Sequence, residues 1–158
     1  MSKLILITNP GSASRKYALY NGEELMAQFH FEYEGKKVVC TINDVDDGKK
    51  KIKPEITDLN DAITILPKIL DDEQYVTGQH KLAAVVVRIV APGDYFTEDH
   101  VVDAEYMKQL KEAEKRNPVH VPTTANEIRG IRKCFKDVKI ISVSDSAFHW
   151  EKPDTYKY

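Results

Sequence analysis

The chain has 158 residues, the length of one domain with room for a real core, and its 42% hydrophobic and 30% charged residues are ordinary for a soluble globular protein. A formal net charge of -2 gives no global basic field, which argues against nucleic acid or an anionic membrane as partner. No apolar run approaches the roughly 18 residues of a membrane span, and the N-terminus lacks the charged-then-apolar layout of a signal peptide, so a cytoplasmic protein is expected.

Residues 4–20 open the chain with an unbroken apolar run, of the kind found in strands covered on both faces. Small polar residues follow, and the apolar pattern resumes as alternating Lys16-Tyr17-Ala18-Leu19-Tyr20. The reading is strand, tight polar turn, strand. Residues 24–33 alternate through Leu25, Ala27, Phe29, Phe31 and Tyr33, then Glu34-Gly35-Lys36 turns the chain into a partner strand over 37–43. The segment 43–48 begins like a calcium loop but has no closing glutamate, so it reads as an acidic turn. Lys49-Lys50-Lys51-Ile52-Lys53 reads as a solvated basic face.

Thr57 or Asp58 can cap a helix through Leu59, Ala62, Ile63, Leu66 and Leu70, and Pro67 predicts a kink or an end near Leu66. Residues 82–90 are rich in Val, Ile and Ala and predict a buried central strand ending near Arg88. Residues 94–100 read as loop, and Val101 or Asp103 begins a helix that Asn117-Pro118 stops. His120-Val121-Pro122 reads as a linker, with Thr124-Ala125-Asn126-Glu127 as capping box for a helix whose inner stripe is Ile128, Ile131 and Phe135. Residues 138–143 form a last strand that delivers Asp145. Cys40 and Cys134, far apart and beside apolar neighbours, are expected to be buried free thiols.

Three places invite chemistry. In the first turn, Asn9, Gly11, Ser12 and Ser14 with Lys16 suit an anion, although the same residues suit an ordinary hairpin. Arg88, a cation at the end of an apolar strand, needs a ligand or an ion-pair partner such as Asp145. Asp145 itself can serve a ligand or cap a turn. Both charges are expected at the sheet edge where α/β proteins collect ligands.

These segments resemble the signatures of the acetate kinase family, in order and over nearly the whole chain. Asn9, Gly11, Ser12, Ser14 and Lys16 match Asn-Ala-Gly-Ser-Ser-Ser-x-Lys, with Pro10 and Ala13 as departures. The stretch 86–93 is similar to Gly-His-Arg-Val-Val-His-Gly-Gly, keeping Arg88 and Gly93 but neither His, and Tyr95-Phe96-Thr97 continues it. Pro118-Val119-His120-Val121-Pro122 looks like Pro-Leu-His-Asn-Pro, and Asp145-Ser146-Ala147-Phe148-His149, with Pro153 beyond, looks like Asp-Thr-Ala-Phe-His.

The resemblance implies an α/β, ribonuclease-H-like domain of the actin and sugar kinase superfamily, with a mixed five-stranded sheet flanked by helices. It implies transfer of the γ-phosphoryl of ATP to a short carboxylate such as acetate, with Mg2+. Asn9, Ser12, Ser14 and Lys16 would line the phosphate side, with Asn9 also a magnesium contact. Arg88, Val90 and Val119 would hold the acid, His120 would face the moving phosphoryl group, and Asp145 would be the essential acidic residue. For His149 and Trp150, packing beside the crevice is favoured over catalysis.

Enzymes of this family carry a second domain, so the chain is expected to be an N-terminal domain, residues 1–158, without its C-terminal partner and inactive alone. The alternative is a non-catalytic anion- or nucleotide-binding subunit that docks on a separate C-terminal half. An α/β domain with no ligand is a third reading.

Overall fold

In the computed structural model, which describes residues 2–78 and 80–145, the alternating apolar segments of the N-terminal third pair as an antiparallel series. These strands are β1 (Ser2–Pro10), β2 (Ser14–Asn21), β3 (Glu24–Glu34), β4 (Lys37–Asp44) and β5 (Gly48–Ile52). Gly35, at φ 65°, closes the β3–β4 hairpin in a conformation that favours glycine. Helix α1 (Ala62–Asp72) follows a short turn at Leu59–Asp61, and β6 (His80–Ile89) then enters beside β1, parallel to it. The strand β7 (His100–Val101), helices α2 (Ala104–Arg116) and α3 (Val121–Cys134), and β8 (Lys139–Ser144) complete the order.

Among the described residues the sheet has eight strands in the order β5-β4-β3-β2-β1-β6-β8-β7, not five. Two of the additions were invisible to periodicity. The lysine run is the edge strand β5, paired to β4 and exposed from Gly48 to Lys51, as suits a charged edge. The two-residue β7 pairs antiparallel with β8 where the sequence suggested the end of a loop and the start of a helix.

Alternation decides which face is covered. Leu4, Leu6, Thr8, Tyr17, Leu19, Phe29, Phe31, Val85, Val87 and Ile89 point into the core, where they join the buried stripes of the helices. Ile5, Ala84 and Val86 on the other face are half-buried, and Ile7 is exposed. β1 and β6 are therefore helix-covered on one face, which corrects the expectation of burial on both.

Pro67 lies inside α1, which continues to Asp72. Burial of Ile63, Leu66, Ile69 and Leu70 along one stripe outweighs the lost amide donor. Likewise α3 begins at Val121 with Pro122 in its first turn, a position proline tolerates. Thr124 and Glu127 thus sit inside the helix and buried, not at a capping box. Asp103 caps α2, accepting the Tyr106 N–H at 2.8 Å. Gly130 marks the crossing of α3 over α1, because a Cβ there would collide with Ile63 Cγ2. Cys40 is buried, Cys134 is half-buried, and both are free.

Candidate functional site

β1, β6 and β8 run parallel, so their carboxyl ends reach the same edge of the sheet. From β1 the chain builds away on one side through β2, and it later enters β6 on the other. Crevices open at such reversals. Here a cavity of about 250 Å³ is lined by Asn9, Pro10 and Ser12 from the first turn, Arg88 and Val90 from the end of β6, and Val119, His120, Thr123 and Thr124 from the start of α3. That is smaller than the roughly 300–1,000 Å³ of drug-sized pockets, and suits a small ligand.

Arg88 is the centre of the cleft. Its Nε and Nη2 donate to Asp145 Oδ1 at 2.8 and 2.6 Å, and its Nη1 donates to Asn9 Oδ1 at 3.2 Å. The guanidinium is thereby held across the ends of three strands. The ion pair expected as an alternative to a ligand role is present, but Arg88 keeps 48% of its side-chain surface exposed. A pair this open contributes little stability and leaves cationic surface facing the cleft. Val90 and Val119 are 51% and 74% exposed beside it. A guanidinium next to bare apolar groups can hold a small anion with a short hydrocarbon tail.

His120 stands at the N-cap of α3, and its backbone N–H donates to Asn117 Oδ1 at 3.1 Å. Thr123 and Thr124 follow at helical spacing on the same side of α3. The sequence reading missed both; their i+3 and i+4 offsets from His120 were the available signal.

The remaining candidates divide. Asn9, Ser12, Arg88, Val90, Val119 and His120 share the cleft, and Asp145 joins them through Arg88. Lys16 pairs with Asn9 across the β1–β2 ladder but faces an adjacent depression with Ile7, Gln28 and His30. Ser14 does not line the cleft; its carbonyl accepts the Gly11 N–H at 3.0 Å and closes the turn. Of the last motif, Asp145 is described, whereas Ser146, Ala147, Phe148, His149, Trp150 and Pro153 lie outside the described residues.

A larger depression, about 700 Å³, lies at the opposite edge, among Asp44, Asp46, Asp47, Glu73 and Tyr75. Its carboxylates repel phosphate, and Asp44 is already engaged by the N–H groups of Asp46 and Asp47, each at 2.8 Å, and by the Tyr75 hydroxyl. The Tyr75 hydrogen bond, followed by those N–H groups, holds the Asp44 carboxyl below its usual range.

Comparison with known proteins agrees with this topology. The acetokinase family pattern matches residues 4–158. The acetate kinase of Streptococcus agalactiae serotype Ia is 34% identical over 161 residues, covering 100% of this chain and 40% of that protein. That of Clostridium novyi is 31% identical, covering 98% and 39%. Among solved structures, the Porphyromonas gingivalis acetate kinase superposes with a TM-score of 0.81 at 22% identity, over 99% of this chain and 41% of that one. A propionate kinase from Francisella tularensis gives 0.80 at 24%, over 97% and 39%. The chain thus spans about 40% of the length of the curated relatives it matches, and its fold is the actin and sugar kinase type. By its sequence match the chain belongs to the acetokinase family.

Proposed function

We propose that this chain supplies the acid- and phosphate-binding half of a kinase that transfers the γ-phosphoryl of ATP to a short carboxylate such as acetate, giving an acyl phosphate and ADP. The observation that carries it is Arg88, half-exposed at the end of β6, held by Asp145 and Asn9 and bordered by His120 and two exposed valines.

The chemistry fits. A carboxylate that attacks a phosphoryl group brings two anions together, so the site must supply positive charge and alignment. The nucleophile needs no base, since a small carboxylic acid with a pKa of roughly 4 to 5 is ionised at neutral pH. Arg88 binds the carboxylate, Val90 and Val119 bound its alkyl end, and His120 donates to the phosphoryl oxygens as charge builds on them. Asn9 and Ser12 hold the phosphate side, and Lys16, one ladder position from Asn9, adds positive charge beside it. Ser14 acts through the turn it closes.

Among the described residues no three His, Cys, Asp or Glu side chains cluster to hold a resident metal. Asn9 and Asp145 are nevertheless oxygen donors of the kind magnesium accepts alongside phosphate oxygens and waters, and they would hold the ion that arrives with ATP. Magnesium there neutralises phosphate charge. Asp145 also orients Arg88, through which it is tied to the cleft.

The reading includes a C-terminal domain, in cis or in trans, that completes the cleft, and no activity from this chain alone, because half a cleft neither excludes water nor aligns two substrates. Trapping of acyl phosphate with hydroxylamine tests this. The chain alone should give no turnover with ATP and acetate, and mixing it with the C-terminal portion of an acetate kinase should restore turnover. Robust turnover by the chain alone would overturn the half-site reading, whereas a stable but inactive complex would favour a non-catalytic binding subunit.

A further inference from the structure

A buried polar cluster lies directly behind the cleft. Arg15 and Glu127 are 3% and 2% exposed and approach to 4.0 Å between Nε and Oε2. Glu127 Oε1 accepts from Thr8 Oγ1 at 2.8 Å. Arg15 Nη2 donates to Asn60 Oδ1 at 2.8 Å, and Nη1 donates to the carbonyl of Gly11, in the turn that carries Ser12. One guanidinium therefore joins the first turn, the 59–61 turn and helix α3.

Stability does not account for this arrangement. Arg15 Nε is buried with no hydrogen-bond partner among the described residues, and the buried Tyr17 hydroxyl has only the Glu127 carboxyl beside it. An ion pair so incompletely satisfied costs more than apolar side chains of similar size would. Burial also raises the Glu127 carboxyl above its usual range, against the pull of Thr8, Tyr17 and Arg15.

Position gives the cluster its purpose. His120, Thr123, Thr124 and Glu127 are spaced along one stripe of α3, the first three opening on the cleft and the fourth gripping β1 and Arg15. On the other wall, Arg15 holds Gly11 between the cleft residues Pro10 and Ser12. We infer that Arg15 and Glu127 are positioning residues, which fix the first turn against the start of α3 and so set the spacing between Ser12 and His120. The link between turn and helix is a property of the ligand-free chain. Its consequence for binding rests on the anion-site reading above.

The test separates positioning from bulk stability. In the double variant Arg15→Leu/Glu127→Leu the charges leave together, so the thermal midpoint should stay within a few degrees of the native chain. Amide exchange at Gly11, protected by its bond to the Ser14 carbonyl, should accelerate at least tenfold while exchange at Leu6 and Phe29 in the core strands is unchanged. Affinity for inorganic phosphate, followed by amide chemical shifts, should fall at least fivefold. Gly11 exchange within twofold of native overturns the inference, as does acceleration that appears equally in the core. If the double variant does not fold, Glu127→Gln, which keeps the Thr8 acceptor, should accelerate Gly11 at least threefold, and an unchanged rate there is equally fatal. Failure of the native chain to bind phosphate would remove the anion reading and leave the exchange data to judge the positioning claim.

Discussion

The two ends of the central sheet use the same residue types to different effect. At the end where β3 and β4 reach Asp44, the carboxylate is engaged by local N–H groups and the Tyr75 hydroxyl, and Lys50 is paired with Glu73. At the carboxyl ends of β1, β6 and β8, Arg88 spans Asp145 and Asn9 yet keeps nearly half its side chain in solvent, between two exposed valines. The first end is larger but closed on itself chemically. The second is smaller and keeps a cation facing outward, and it is where the carboxyl ends of the parallel strands meet.

The largest expected effect breaks the Arg88 end. Arg88→Ala in the reconstituted enzyme should lower turnover of acetate by about 100-fold or more, as loss of a principal charge-stabilising donor does. The thermal midpoint of the chain should barely move, since the Arg88–Asp145 pair is exposed. Coupled assay and calorimetry together read this. A comparable loss from Lys50→Ala would mean that the ends have been assigned the wrong way round.

Next in size is the packing that carries both ends. Gly130→Ala gains about 1 kcal/mol of helix propensity, but its Cβ meets the buried Ile63. Overpacking of about 1–3 kcal/mol should leave a net loss in urea unfolding. Adding Ile63→Leu, which removes the Cγ2 methyl, should recover part of that loss, and no recovery would put its cause elsewhere.

Glu127 sharpens the contrast through pH. Its folded pKa lies above the unfolded value, chiefly from burial, so the folded state keeps a proton that the unfolded chain releases. Its contribution is therefore fully present below the usual glutamate range near pH 4.3 and is lost as pH rises through the folded value. Glu127→Gln should flatten that slope in stability measured against pH. Asp44 carries the opposite sign. Its lowered pKa gives stability present above the ordinary carboxyl range and lost as pH falls through the folded value. Tyr75→Phe, which removes the first cause of that shift, should cost about 1 kcal/mol, weaken the acid dependence and leave ligand binding intact.

Much of this was legible in the chain. The first hairpin, the β3–β4 pair and the strand ending near Arg88 follow from alternation and from Val and Ile runs, and a lone cation at a strand end pointed to its partner Asp145. Arg15 had a signal too. It shares inward parity with Tyr17 and Leu19, so it had to be buried and paired. Its partner was not legible, because Glu127 lies 112 positions away and looked like the end of a capping box. Pro67 inside α1, the lysine-rich edge strand and the two-residue β7 depend on tertiary packing and pairing that local pattern does not encode. Of the motif-bearing residues, Asn9, Ser12, Arg88, Val90, Val119 and His120 line the cleft and Ser14 and Lys16 do not, whereas Thr123 and Thr124 emerged only with the start of α3 at Val121.

The central claim is that the cleft around Arg88 takes a small phosphorylated or carboxylate anion. Titrating acetyl phosphate into the isotope-labelled chain and following backbone amides tests it most directly. The account predicts saturable shifts at Asn9, Ser12, Arg88 and His120 that Arg88→Ala abolishes, with Asp44 and Lys50 silent. Shifts centred on the acidic end, or shifts at the cleft that survive Arg88→Ala unchanged, would contradict it.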